Sequence, residues 1–139
     1  MALVYLDTSA LVALCLPEAG SALAGALWDG ADVVATSRVA DAQVRGTLAA
    51  AFRDGLLTAA QARAALEEWD RLWPALAVVE AVPALLDEAA SLVVRHPLAA
   101  GEAVHVASAL TLRSPDLVVG CFDAVVVAAA RGEGLRVVP

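Results

Sequence analysis

The chain has no lysine: all nine of its basic residues are arginines, set against sixteen Asp and Glu for a formal charge of −7. This balance excludes general attraction to a polyanion as the main source of affinity. A nucleic-acid enzyme with such a charge needs local arginines, and cations to neutralise its acidic cleft. The acidity also serves solubility, or suits a basic protein partner. Long uncharged runs are missing too. The longest stretch free of Asp, Glu, Lys and Arg is ten residues, too short to span a bilayer despite 60% hydrophobic residues and a mean hydropathy of +0.73. Only two cysteines occur, Cys15 and Cys121, with no disulfide or zinc spacing, so both are expected as free thiols. No basic region leading into an apolar run opens the chain, and a cytoplasmic location is expected. Repeats, linkers and low-complexity tails are also lacking, so the 139 residues read as one domain able to bury a core.

What is present is an alternation of strand and helix signals. Leu3, Val4, Tyr5 and Leu6 form a short apolar run suited to a strand buried on both faces, and it stops at Asp7. Thr8 and Ser9 are placed to cap a helix over 10–16. Asp7 therefore reads in two ways, as a site residue at the carboxyl end of a strand or as part of a helix cap. A helix over 19–29 and a strand over 33–35 follow, and Thr36-Ser37 is expected to open a helix over 38–53. Asp54-Gly55 is a turn. Thr58 caps a helix reaching 73, with Trp69 and Trp73 one turn apart for core or dimer packing. The remainder reads as a strand over 76–79, a helix over 83–95, and a helix from about 101 to before Ser114. A strand over 117–120, a helix over 123–131 and a closing strand over 135–138 complete the chain. Such alternation implies a mostly parallel sheet with helices on both faces.

Three acids stand at comparable places: Asp7 at the end of the first strand, Asp123 just beyond the fourth, and Glu102 at a helix start. If the first and fourth strands are neighbours, these carboxylates converge. Carboxylates sharing a cleft repel unless a cation sits among them, and hard oxygen donors suit Mg²⁺ or Mn²⁺. Such an ion can activate water and stabilise charge on a phosphoryl group. Spacing alone leaves the same acids open to being ordinary helix caps.

Four segments carry a resemblance: Val4-Tyr-Leu-Asp-Thr-Ser-Ala-Leu-Val-Ala13, Thr36-Ser-Arg-Val-Ala-Asp-Ala-Gln43, Glu102-Ala-Val-His-Val-Ala-Ser-Ala109, and Cys121-Phe-Asp123 with the ending Gly134-Leu-Arg-Val-Val-Pro139. In this order and at these separations they resemble the PIN-domain proteins, and within them the VapC-like toxins of bacterial toxin-antitoxin pairs. The resemblance covers essentially all of 1–139. It implies a single PIN-like α/β domain with a five-stranded parallel sheet in the order 3-2-1-4-5. It further implies a Mg²⁺- or Mn²⁺-dependent endoribonuclease, an RNA substrate, a cognate antitoxin and a homodimer.

By that resemblance Asp7 and Asp123 match family acids that hold the metal. Glu102 falls where the family usually has Asp, so its carboxylate is kept on a side chain one carbon longer. Ser9 matches a small hydroxyl beside the first acid that can hold a metal-bound water. Gln43 is the departure, since it stands where the family's second acid is expected. Its amide oxygen can coordinate or accept a hydrogen bond, but it carries no charge and cannot act as a base. Asp41 lies about 200° around the helix from Gln43 and is expected to pair with Arg45 on the exposed face instead. His105 is expected as a packed, hydrogen-bonded histidine, Thr8 as a helix cap, and Cys121 as a weaker supporting hydrogen-bonder where the family often has Thr or Ser. A catalytically weak PIN-like module that docks an antitoxin or RNA remains an alternative. A phosphatase with Asp7 as nucleophile is disfavoured, because Tyr5 occupies the partner position of the expected Asp-x-Asp.

Overall fold

In the computed structural model, which describes residues 1–139, strands and helices alternate along the whole chain. They are β1 (Leu3–Leu6), α1 (Thr8–Cys15), α2 (Ser21–Gly30), β2 (Val33–Ser37), α3 (Ala40–Arg53) and α4 (Ala59–Leu72). After a 3₁₀ turn at Trp73–Ala75 come β3 (Ala77–Val79), α5 (Pro83–Arg95), α6 (Ala100–Thr111), β4 (Leu117–Gly120), α7 (Ala124–Gly132) and β5 (Val137–Val138). All five strands are parallel, in the order β3-β2-β1-β4-β5. This is the architecture that the alternation and the resemblance imply. No helix is long and apolar enough to cross a membrane.

Strand periodicity divides the core. Val4 and Leu6 face α1, α3 and α4, whereas Tyr5 between them faces α5, α6 and α7. The central strand is thus apolar on both sides, as expected of a parallel strand covered by helices. Close sheet-to-helix packing at its end depends on Gly120, where a Cβ would lie only 2.6 Å from Leu6 Cδ2 and 2.8 Å from Leu27 Cδ1.

Thr36 and Ser37 depart from expectation. They extend β2 rather than opening a helix, because they pair with Val78 and Val79 of β3. The Thr36 hydroxyl donates to the Leu6 carbonyl at 2.7 Å, and α3 begins at Ala40 without a side-chain cap. Tertiary pairing has taken residues whose local chemistry suits a cap. Thr58 does cap α4, in a reciprocal box with Gln61.

Trp69 and Trp73 pack together: their rings lie 5.5 Å apart, Trp69 is fully buried in the core, and Arg38 sits over the face of the half-buried Trp73. Trp69 Nε1 donates to Asp41 Oδ1 at 2.9 Å, and Arg45 Nε donates to the same oxygen at 2.9 Å. Asp41 is therefore a strut between α3 and α4, beyond the expected pair with Arg45. Asp41→Ala leaves the indole N–H without its acceptor and is expected to cost about 1–3 kcal/mol by urea denaturation. Arg45→Ala, which removes only half-exposed ion pairs, is expected to cost less than about 1 kcal/mol. Equal losses from the two changes would contradict this role for Asp41.

Candidate active site

The pairing of β1 with β4 places Leu6 opposite Gly120, so the two chains leave the sheet side by side. Asp7 follows Leu6 directly and Asp123 comes after Cys121 and Phe122, and the two lead into α1 and α7. Glu102 enters from the first turn of α6, and all three line one cavity of about 470 Å³. Thr8, Ser9, Gln43 and His105 line it as well, so every site residue anticipated from the sequence is brought to one place. Asp41 is not among the lining residues.

Each acid is set by a helix start. Asp7 is the N-cap of α1, and its Oδ1 accepts from Ala10 N–H at 3.1 Å and from the Ser9 hydroxyl at 2.6 Å. Its other oxygen accepts the Cys121 thiol at 2.9 Å. Asp7 thus both caps the helix and belongs to the cavity, while Thr8, expected as a cap, is the first helical residue and gives its hydroxyl to Gln43. Asp123 caps α7 through Val125 N–H at 3.0 Å. Glu102 reaches back to Ala99 N–H at 2.7 Å. The positive ends of three helices therefore meet the three carboxylates.

Ser9 and Cys121 hold Asp7 in place. The Ser9 hydroxyl gives its proton to Asp7 and accepts Phe122 N–H at 2.9 Å, which ties β1 to the loop after β4. Burial, reinforced by the Asp7 charge, pushes the Cys121 thiol up, so it remains a protonated donor.

A second network is uncharged. Gln43 Oε1 can only accept, so the His105 Nε2 that faces it at 2.7 Å carries the proton. His105 Nδ1 then accepts the Tyr5 hydroxyl at 2.7 Å. Thr8 donates its hydroxyl proton to Gln43 Oε1 at 2.5 Å and lies 2.9 Å from His105 Nε2. Burial lowers the His105 pKa to about 4, with the Asp7 charge opposing the shift only in part. The imidazole is therefore neutral at physiological pH.

Glu18 and Thr47 also line the cavity. Glu18 lies between α1 and α2, outside every motif that marks the other acids, so nothing local identifies it as a site residue. Thr47 lies one helical turn after Gln43, on the same face of α3. No arginine lines the cavity, and none of the ion pairs includes Asp7, Glu18, Glu102 or Asp123. An all-oxygen donor set without a counter-charge fits a hard divalent cation. The side chains rest on their own helix starts, and no three acids are gathered tightly enough to hold one ion as they stand.

The depressed His105 pKa has a consequence for stability. Between pH 6.5 and about 4 the unfolded chain takes up a proton at this residue that the folded chain refuses. The stabilising contribution is complete above pH 6.5 and is lost as pH falls towards 4; on the order of 3 kcal/mol is expected from the shift. Urea denaturation across this range, compared with His105→Gln, measures it. A variant losing as much stability as the parent chain would show that His105 contributes nothing to the pH dependence.

Comparison with known proteins places the chain in a family. The family model described as PIN domain matches residues 4–138. The chain is 42% identical over 139 residues to Ribonuclease VapC45 of Mycobacterium tuberculosis (strain CDC 1551 / Oshkosh), covering 100% of this chain and 96% of the relative. The same figures hold for Ribonuclease VapC49 of Mycobacterium tuberculosis (strain ATCC 25618 / H37Rv). The crystal structure of Mycobacterium tuberculosis VapC20, a sarcin-ricin loop cleaving toxin, superposes with a TM-score of 0.68 over 91% of this chain and 94% of that one, at 23% identity. That similarity speaks to the fold. With a family match over nearly every residue and relatives of high identity along the full length, the chain belongs to the PIN-domain family, among its VapC-like members.

Proposed function

We propose that this protein is a Mg²⁺- or Mn²⁺-dependent endoribonuclease that serves as the toxin of a toxin-antitoxin pair. The observation that carries this reading is the convergence of Asp7, Glu102 and Asp123 on one cavity that no cationic side chain enters. The family and the ribonuclease names of the relatives support the same chemistry. Asp7, Glu102 and Asp123 are the residues that would hold the ion. When bound, the ion lowers the pKa of an attacking water and offsets charge on the scissile phosphate.

The chain's own residues prepare the site. Ser9 and Cys121 fix Asp7 from two sides, so the carboxylate is oriented in advance. The α1 and α7 N-termini hold Asp7 and Asp123 at the sheet end, where an anionic backbone can approach from the open side. Glu18 adds a fourth carboxylate at the rim. The net charge of −7 leaves the wider surface suited to a basic antitoxin, with RNA engaged only where the cation offsets the acids. We place the protein in the cytoplasm, as a homodimer. Uncharged Gln43 supports a second reading, a catalytically weak module that still docks an antitoxin or RNA.

A divalent ion separates the two readings. At a hundredfold excess over its Kd, Mn²⁺ is expected to add about 2.7 kcal/mol of stability, seen as a melting temperature raised by roughly 10 °C. The Asp7→Asn, Asp123→Asn double change is expected to remove both this rise and RNA cleavage. A rise that survives both changes would place the ion elsewhere. A metal-dependent rise without cleavage of any cellular RNA would favour the docking module.

A further inference from the structure

We infer that Gln43 is a hydrogen-bond donor for an anionic phosphate oxygen in the cavity, aimed by His105 and Thr8, and is not a metal ligand. The identification of that phosphate as RNA rests on the nuclease reading above; the orientation of the amide does not.

The argument starts from the amide oxygen. Oε1 has two lone pairs, and both are engaged: the Thr8 hydroxyl donates from 2.5 Å and His105 Nε2–H from 2.7 Å. Because Oε1 can only accept, Nε2 carries the proton, and Nδ1 is left to accept the Tyr5 hydroxyl. Nothing of Oε1 is left for a cation. The nitrogen end behaves differently. Gln43 Nε2 makes no hydrogen bond to the protein, yet no buried side-chain nitrogen or oxygen in the molecule lacks a partner, so Nε2 is open to solvent. Gln43 lines the cavity, and that is the solvent it meets.

Gly101 secures this orientation. A Cβ built there would stand 2.3 Å from Gln43 Nε2, so the amide lies directly over the glycine, one residue before Glu102. The N–H groups are thus held at the α6 N-terminus, beside the acids. An uncharged donor among carboxylates is suited to the oxygen of an incoming phosphate, which the carboxylates themselves repel. Glutamate at position 43 would instead set an acceptor against that phosphate.

Two measurements test this on the full-length protein: Mn²⁺ affinity by isothermal titration calorimetry, and anisotropy of a fluorescein-labelled RNA hairpin with Ca²⁺ present. Gln43→Ala is expected to leave the Mn²⁺ Kd within about twofold and to weaken RNA binding about tenfold. Gln43→Glu is expected to weaken RNA binding at least as much. His105→Ala is expected to follow Gln43→Ala, with His105→Gln, which retains a donor, recovering most of the loss. Gly101→Ala, which pushes the Gln43 amide aside while leaving Thr8, His105 and Tyr5 unaltered, is expected to weaken RNA binding with Mn²⁺ affinity kept. Tenfold or greater tightening of Mn²⁺ by Gln43→Glu would make position 43 a ligand and overturn the inference, as would unchanged RNA binding in Gln43→Ala. Asp7→Asn is the separate control: if it leaves Mn²⁺ affinity intact, the metal reading fails while the Gln43 result still stands.

Discussion

The parallel pairing of β1 with β4 is the constraint on which the rest depends. Asp7 and Asp123 are 116 positions apart in sequence, and only the register that ends with Leu6 opposite Gly120 sets them at one edge. At Gly120 the Leu6 and Leu27 side chains occupy the space that a Cβ would take. The register needs a central strand apolar on both faces, which Val4, Tyr5 and Leu6 supply. A slip of one residue would turn Tyr5 away from His105 and invert the two cores.

Once the strand ends are adjacent, the cavity has an electrostatic problem to solve. Asp7 is almost fully buried, and a buried carboxylate is costly unless hydrogen-bonded. It is met by a hydroxyl, a helix N–H and a thiol, donors from both sides of the β1–β4 seam. Asp123 and Glu102 use the free N–H groups at the starts of α7 and α6 in the same way. Helix starts therefore let several carboxylates gather without a compensating arginine.

Beside this charged half lies a neutral one. Tyr5, His105, Thr8 and Gln43 form a chain in which each proton has a defined acceptor, and the arrangement works because the imidazole is uncharged. An amide at position 43 is consistent with that state. A carboxylate there would favour a proton on His105, and hence a charge that burial opposes. The amide at position 43 is thus matched to its surroundings.

The alternation of apolar runs and helix starts was legible in the sequence because strand and helix periodicities are local. Asp7, Glu102 and Asp123 were legible because each stands at a boundary between elements. Residues such as Thr36 and Ser37 were misread because β2–β3 pairing, a long-range interaction, claimed them from a local capping role. Whether Asp41 or Gln43 faced the site followed from helical geometry, but what Gln43 does there did not. That depended on Thr8, His105 and Gly101, contributed by two other helices, and on Tyr5 behind them. Glu18 gave no signal, since a turn acquires a site only when it folds over one. The sequence by itself determined the elements, the sheet's apolar faces and the acids. Only the tertiary structure decided which atoms of those side chains are spent on the protein and which remain free for a ligand, because hydrogen bonds between distant segments are allotted only when the segments meet.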